Sequence, residues 1–246
     1  MTTIFPNIFA KISQYVVSPL AILLFKFFGR LEVVGRENLE AVDGQVILAG
    51  GHRHELDVVG VTTALLGTRF MPMYYVSMAK NYYKHLGWHA RIFYGGPLFK
   101  LLGAYPVYKG TGSLAKSLTN HDKLIEDGRT VIIYPEGRLT RDGSYDSPRA
   151  GVGYLMAKHK LPIVPFTTNG LWNLSMKDWL LRKGKITVVF GPAIYPQEVL
   201  QDPDKHIDEY RREEMQAAAN LIMQRIVALG TDEVEVEVSE TKTKLV

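Results

Sequence analysis

The residues best suited to chemistry lie in the stretch 51–57, which reads Gly-His-Arg-His-Glu-Leu-Asp and stands between two apolar runs. His52 and Asp57 are five positions apart. On one continuous helix their side chains would point about 140° apart. We therefore predict that His52 lies in a turn and that Asp57 lies in the first turn of the next helix. The carboxylate then reaches one imidazole nitrogen and leaves the other free as a general base.

The elements on either side must position this turn. Residues 45–49 form an apolar, β-rich run that ends at two glycines, which is typical of a buried strand followed by a tight turn. The apolar residues that follow predict a helix from Asp57 to Leu66. Active-site residues favour turns that are held by rigid elements in this way.

Two more interpretations of the stretch stay open from the residues alone. His52 and His54 can cap the following helix without any chemical role. Alternatively, His52 and His54 with Glu55 and Asp57 offer imidazole and carboxylate ligands to a metal ion within one turn, although the sequence has no clear distal ligand set.

The spacing of His52 and Asp57 after a hydrophobic strand resembles the first motif of the glycerolipid acyltransferases, in particular the bacterial 1-acyl-sn-glycerol-3-phosphate acyltransferases. Three further blocks resemble that family's motifs in the same order. They are residues 96–110 with the basic Lys109, residues 135–137 (Pro-Glu-Gly) at the end of an apolar run, with Glu136 84 positions after His52, and residues 161–166. Residues 149–157 also resemble the family's basic-x-Gly helix, and the resemblance covers residues 31–195.

The resemblance implies acyl transfer from a thioester, acyl-CoA or acyl-carrier protein, to the free hydroxyl of lysophosphatidic acid, which gives phosphatidic acid for phospholipid biosynthesis. His52 is then the catalytic base and Asp57 fixes its tautomer. Glu136 is expected either to orient the motif loops through backbone amides or to hold an acceptor hydroxyl, and it is counted with Gly137 among the substrate-binding residues. Backbone N–H groups near Gly137 or in the motif turn are expected to stabilise the oxyanion. No acyl-enzyme and no cofactor are expected.

Two departures from the family pattern affect the acceptor site. Lys109 stands where the family usually has arginine, and Arg138 comes one place early, so that Leu139 fills the usual arginine position. Together with Arg149, these two cations are the candidates for binding the acceptor phosphate. The shifted arginine is more like the acyltransferases that act on lysophosphatidylethanolamine, which remains a second possible acceptor. A metal-dependent hydrolase and an inactive lipid-binding module with the same fold also stay open.

The composition limits the class of protein. With 246 residues, of which 46% are hydrophobic and 22% charged, the chain is long enough for one well-cored domain. The absence of cysteine excludes disulfides and thiolate catalysis. The net charge is +4, but residues 1–200 carry 23 Lys/Arg against 14 Asp/Glu, or +9. A basic body suits anionic lipid or phosphorylated substrates, and nothing in the chain resembles a nucleic-acid-binding module.

The first thirty residues indicate membrane association. Apolar residues at helical spacing predict an amphipathic helix up to Val16. Ser18 as N-cap and Pro19 then predict a second helix that ends at Gly29 and is about 15 Å long, half the hydrocarbon core of a bilayer. Two such helices suit a chain lying in one leaflet, on the cytoplasmic face of a bacterial inner membrane. Two alternatives stay open: the helices pack on the protein core, or residues 4–28 form a single kinked span.

The overall prediction is an α/β fold with a mixed sheet covered by helices on both faces. Residues 1–30 form the membrane-associating segment, 31–230 the acyltransferase domain and 231–246 an acidic, mobile tail. A long helix is expected from Pro203 to Leu229. The aromatic residues 82–94 are interpreted as a packing or interface cluster.

Overall fold

The computed structural model describes residues 8–79, 102–140 and 142–231. Within them lie seven strands. The strands are β1 (Glu32–Val34), β2 (Ile47–Gly50), β3 (Met73–Met78), β4 (Ala104–Val107), β5 (Thr130–Ile133), β6 (Ile163–Asn169) and β7 (Thr187–Phe190). They form one sheet in the order β1-β7-β6-β2-β5-β3-β4. Neighbouring strands are parallel except β6 and β7, which are antiparallel. The predicted mixed sheet is confirmed.

Helices cover both faces of this sheet. They are α1 (Ile8–Phe28), α2 (Arg36–Glu40), α3 (Asp57–Leu65), α4 (Leu114–Glu126), α5 (Gly151–His159), α6 (Met176–Leu180), α7 (Pro196–Val199) and α8 (Arg212–Val227), with a 3₁₀ turn at Ile207–Glu209. Successive strand residues point to opposite faces. Ile47 and Ala49 accordingly pack with α4, α5 and α8, whereas Leu48 packs with α2 and α3.

The pairing of β2 with β5 sets the site. These central strands are parallel, and Ala49 pairs with Ile133. His52 and Glu136 each lie three positions beyond that pair. The carboxyl ends of two adjacent parallel strands therefore bring the first and third predicted motifs to the same edge of the sheet.

The N-terminal segment differs from the prediction. One helix, Ile8–Phe28, runs through Pro19 instead of ending before it, so Ser18 lies inside a helix rather than at the start of one. Side-chain bonds attach α1 to the sheet, since Gln14 Nε2 donates to Met73 O over 2.8 Å and its Oε1 accepts the Met73 N–H over 3.0 Å. None of the helices in the described residues has both the length and the apolar character needed to cross a membrane.

The C-terminal helix is shorter than predicted. It begins at Arg212 rather than at Pro203. The Glu214 carboxylate accepts the Arg211 N–H over 2.7 Å, which caps the helix at that point. The preceding segment is held in another conformation by Lys160, whose Nζ donates to Lys205 O over 2.8 Å. The predicted cluster at residues 82–94, the beginning of the second motif (96–101) and the tail from residue 232 lie outside the described residues.

Candidate active site

Two glycines allow the turn after β2 to pack closely. A Cβ at Gly50 would lie 2.2 Å from Phe166 Cζ, and a Cβ at Gly51 would lie 2.4 Å from Tyr145 Cε1. Both distances are far below van der Waals contact, so larger residues would push the turn off the sheet. The glycines therefore set the position at which His52 leaves the strand.

The structure brings His52 and Asp57 together at this turn. His52 Nδ1 lies 3.4 Å from Asp57 Oδ2. The same carboxylate oxygen accepts the N–H groups of Arg53 and His54 over 2.8 and 2.7 Å. Asp57 is only 1% exposed. A buried carboxylate held by two amides keeps a fixed position, while the longer contact to the imidazole is typical of catalytic pairs before substrate binds. Because Nδ1 faces the carboxylate, the other imidazole nitrogen, Nε2, is the candidate base.

His54 has a different environment. Its Nδ1 accepts the Leu56 N–H over 3.1 Å, which closes the turn before α3. Within residues 8–79, 102–140 and 142–231, no group of three or more His, Asp or Glu side chains is arranged to hold a metal ion. The two histidines therefore have different contacts: His52 faces Asp57, whereas His54 accepts a backbone N–H. The described residues do not provide the group of ligands that the metal interpretation requires.

Glu136 joins three loops. Its Oε1 accepts the His52 N–H over 2.8 Å, and its Oε2 accepts the Asp146 N–H over 3.0 Å. Glu136 is 1% exposed, and burial raises the pKa of its carboxyl group, against the lowering effect of these two hydrogen bonds. A further hydrogen bond connects the His52 turn with the loop after Glu136, because the Thr140 N–H donates to His52 O over 3.1 Å.

The expected oxyanion donors are already in use. The N–H of Gly137 donates to Tyr134 O over 3.0 Å, and the N–H groups of His52, Arg53 and His54 donate to carboxylates. Gly137 has a φ of 67°, which favours glycine. The geometry therefore gives Gly137 a role in shaping the loop and does not leave these four amides free for substrate.

A cavity of about 1450 Å³ adjoins the turn that carries His52 and Asp57. His52 lines it. Apolar side chains from α3, β3 and β4 line one part, and they include Val58, Val59, Val76, Met78 and Val107. Basic side chains line another part, and they are Lys109, Arg138, Arg149 and Arg212. A cavity with an apolar part, a cationic part and a histidine suits an amphiphilic anionic substrate.

The candidate phosphate ligands have distinct surroundings. The pKa of Lys109 is lowered, first by partial burial and then by the positive charge of Arg149. Arg149 Nε donates to Glu136 O over 3.3 Å. Arg138 lines the cavity but forms an ion pair with Asp146. Lys109 and Arg149 therefore act as neighbouring cations, whereas part of the charge of Arg138 is neutralised.

The structure adds three residues to the site that the sequence motifs do not single out. The Tyr134 ring stacks on the His52 imidazole with centroids 4.3 Å apart and planes inclined by 22°. Arg53 is 2% exposed and its Nη2 donates to Asn169 Oδ1 over 3.1 Å, so it ties the turn to the end of β6. Arg212 reaches the cavity from α8. Tyr134 adjoins the third motif and could be found from it, but no pattern in the sequence links Arg212 to His52.

Comparisons with known proteins agree with this geometry. The acyltransferase family matches residues 30–169, more than half of the chain. A 1-acyl-sn-glycerol-3-phosphate acyltransferase of Chlamydomonas reinhardtii is 25% identical over 209 residues, which cover 83% of this chain and 57% of the algal protein. The chloroplastic 1-acyl-sn-glycerol-3-phosphate acyltransferase BAT2 of Brassica napus is 21% identical over 178 residues, 71% of this chain and 48% of that protein. The chain thus spans about half the length of these curated relatives.

A solved structure has the same fold. It is the crystal structure of the 1-acyl-sn-glycerophosphate (LPA) acyltransferase PlsC from Thermotoga maritima, with a TM-score of 0.52 at 15% identity over 88% of this chain and 81% of that one. At this identity the likeness concerns the fold alone. The sequence match over residues 30–169, which includes the His52 turn and the Glu136 loop, shows that this chain belongs to the acyltransferase family.

Proposed function

We propose that this chain is a 1-acyl-sn-glycerol-3-phosphate acyltransferase, which transfers a fatty acyl group from a thioester to the free hydroxyl of lysophosphatidic acid. The observation that carries the proposal is the His52–Asp57 pair beside a cavity that is apolar in one part and cationic in another. The relatives in the alga and in Brassica carry the same activity in their names. The donor is acyl-CoA or acyl-carrier protein.

In the proposed reaction His52 Nε2 takes the proton of the acceptor hydroxyl as its oxygen bonds to the thioester carbonyl carbon. Asp57 stabilises the imidazolium that forms. When the tetrahedral intermediate collapses, the carbon–sulfur bond breaks and the thiolate leaves, with the imidazolium as the proton source. The products are phosphatidic acid and the free thiol of the carrier, and His52 returns to its neutral form.

The acceptor phosphate is assigned to the cationic part of the cavity. The pKa of Lys109 is lowered first by burial and then by the charge of Arg149, and a phosphate bound between the two cations offsets both effects. We add Arg212, for which no acidic partner is found in the described residues. The start of α8, which carries Arg212, is held near Arg149, because Gln216, one turn later, donates to Pro148 O over 2.8 Å.

One observation favours a second acceptor. Arg138 is paired with Asp146, and Leu139 lines the same cavity. This reduces the positive charge available to a phosphomonoester. A lysophospholipid with a phosphodiester head group, such as lysophosphatidylethanolamine, carries one negative charge on its phosphate. It therefore requires less positive charge in the cavity than a phosphomonoester does. Lysophosphatidylethanolamine is therefore the alternative acceptor.

Membrane attachment through α1 is part of the proposal. The helix buries the polar Ser13 and Gln14, at 5% and 3% exposure, against the protein, and it exposes Val16 and Leu23 at 68% and 65%. This reverses the usual arrangement of an amphipathic helix on a soluble protein. An apolar outer face on a basic body suits an anionic membrane surface, and we propose the cytoplasmic face of a bacterial inner membrane.

A substrate panel tests the proposed function. The purified chain is mixed with acyl-CoAs of several lengths, and lysophosphatidic acid, lysophosphatidylethanolamine and monoacylglycerol are offered one at a time while thiol release is followed. We expect the highest kcat/KM with lysophosphatidic acid and phosphatidic acid as the product. Acyl-carrier-protein thioesters are then compared as donors. No acceptor-dependent thiol release with any pair would contradict the proposal and favour an inactive lipid-binding module.

A further inference from the structure

The short helix α6 and the residue after it expose three large apolar side chains. Met176, Leu180 and Leu181 are 65%, 51% and 55% exposed. Single exposed apolar residues are normal on protein surfaces, but three within one turn and a half of chain form a patch that marks an interaction site. The catalytic machinery does not account for this patch, since none of the three residues lines the cavity.

Aromatic contacts attach α6 to the C-terminal half of α1. The Trp179 ring packs against Phe28 and Phe25, with centroid separations of 5.3 and 6.2 Å. The guanidinium carbon of Arg182 lies 4.6 Å from the centroid of the Phe27 ring, which is itself 52% exposed. The exposed Phe27 of α1 therefore lies beside Arg182, the residue that follows Leu181, so the apolar faces of the two helices adjoin there.

Basic residues border this surface. Lys177, Arg182 and Lys183 are exposed, and Asp178 is the acidic residue among them. The Asp178 carboxylate lies 3.9 Å from Lys183 Nζ, a distance at which exposed charges attract each other weakly. The segment thus combines apolar side chains with a net positive charge, which is the combination that binds the interface of an anionic bilayer.

We propose that α6 and residues 181–183, which we call the α6 segment, form a second membrane-contacting element beside α1. Its apolar side chains enter the acyl-chain boundary and its basic side chains face anionic head groups. This inference rests on the proposed membrane attachment of α1. An acidic carrier protein would match the basic residues, but the adjoining apolar face of α1 favours a lipid surface, which covers both elements at once.

Vesicle binding by the full chain tests the proposal without any turnover. Leu180→Glu removes an apolar contact from the α6 segment, and Leu221→Glu makes the same change at a leucine that is 42% exposed on α8. We expect Leu180→Glu to weaken partitioning into phosphatidylglycerol–phosphatidylcholine vesicles about tenfold, because half a leucine surface leaves the lipid and a charge must stay in water. Leu221→Glu should partition as the wild type does.

The charge of the segment gives a second readout. Lys177→Gln with Lys183→Gln should weaken binding about fivefold for each lysine removed on vesicles that contain phosphatidylglycerol. The same double variant should bind pure phosphatidylcholine vesicles as the wild type does. Unchanged thermal unfolding of each variant shows that these exposed positions alter the surface and not the fold.

Two results would overturn the proposal. One is equal partitioning of Leu180→Glu and Leu221→Glu. The other is normal partitioning of Leu180→Glu together with a raised KM for acyl-carrier-protein thioesters, which would make the segment a protein-docking surface. Thiol release from octanoyl-CoA with a soluble octanoyl lysophosphatidic acid is measured alongside. If the wild type does not turn over these soluble substrates, the proposed acyl transfer is contradicted. The vesicle-binding result does not depend on turnover and would still test the membrane-contacting role of the α6 segment.

Discussion

The backbone N–H of His52 donates to Oε1 of Glu136 over 2.8 Å, although the two residues are 84 positions apart. The second carboxylate oxygen accepts the Asp146 N–H over 3.0 Å. One buried carboxylate therefore fixes the loop that carries the proposed base against the loop that leads to Arg149. The orientation of the imidazole depends on this bridge as well as on Asp57.

Glu136→Gln should lower kcat by about tenfold. The amide offers one acceptor oxygen where the carboxylate offers two, so either the His52 or the Asp146 N–H loses its buried partner, at a cost of about 1–3 kcal/mol. The KM for the thioester should change little, because Glu136 does not line the cavity. Steady-state thiol release measures both constants, and a wild-type kcat would show that the bridge does not position the base.

The same substitution should also change how the stability of the fold depends on pH. Burial raises the folded-state pKa of Glu136 above its ordinary value of 4.5. A raised pKa contributes stability that is present below the unfolded pKa and is lost as the pH rises through the folded pKa. The free energy of unfolding of the wild type, relative to that of Glu136→Gln, should therefore fall as the pH rises from 4.5 through the folded-state pKa. The fall should be about 1.4 kcal/mol for each pH unit by which the folded pKa exceeds the unfolded pKa. Urea unfolding of both proteins across this range measures the difference, and a constant difference would contradict the prediction.

Arg212→Ala should raise the acceptor KM about tenfold and leave the thioester KM nearly unchanged, since a charge-assisted hydrogen bond to phosphate is worth about 1.5–3 kcal/mol. Arg211→Ala is the matched control. Arg211 precedes it in the chain, carries the same charge and bonds to Glu214 over 3.3 Å outside the cavity. Equal acceptor KM values for the two variants would show that Arg212 does not bind the acceptor phosphate.

Asp146→Asn should change acceptor preference. The substitution removes the ion pair with Arg138 but keeps the backbone N–H that Glu136 accepts. The full charge of Arg138 is then available in the cavity. We expect the KM for lysophosphatidic acid to fall severalfold and the KM for lysophosphatidylethanolamine to change less, because the phosphomonoester carries more charge. Parallel acceptor titrations measure the ratio, and an unchanged ratio would show that Arg138 does not face the phosphate.

Much of the fold can be predicted from local patterns. The run 45–49, the stop at Gly50 and Gly51 and the helix from Asp57 follow from residues that are close in sequence, and the structure has β2 and α3 there. Regions whose structure depends on distant contacts are harder to predict. Pro19 predicts a helix start, but in the structure it lies inside α1. Gln14 attaches this helix to Met73, 59 positions away, and local sequence patterns do not predict such a distant contact.

The site residues likewise include some that the sequence predicts and some that it does not. The pairing of His52 with Asp57 can be expected from a spacing of five residues, and Glu136 can be expected from a resembling motif. The ion pair of Arg138 with Asp146 and the approach of Arg212 from α8 arise from tertiary packing. A backbone contact of α5 with α8 at Gly153, where a Cβ would lie 2.0 Å from Met215 O, positions α8, and a single sequence does not reveal it.

The most direct test of the proposed mechanism compares His52→Ala with His54→Ala in acceptor-dependent thiol release, using an acyl-CoA and lysophosphatidic acid. His52→Ala should lower kcat by about 10² to 10⁴, the usual cost of losing a general base. His54→Ala should keep substantial activity, because His54 Nδ1 accepts a backbone N–H in the turn rather than facing a carboxylate. Wild-type rates in both variants, or greater loss in His54→Ala, would contradict the assignment of His52 as the base.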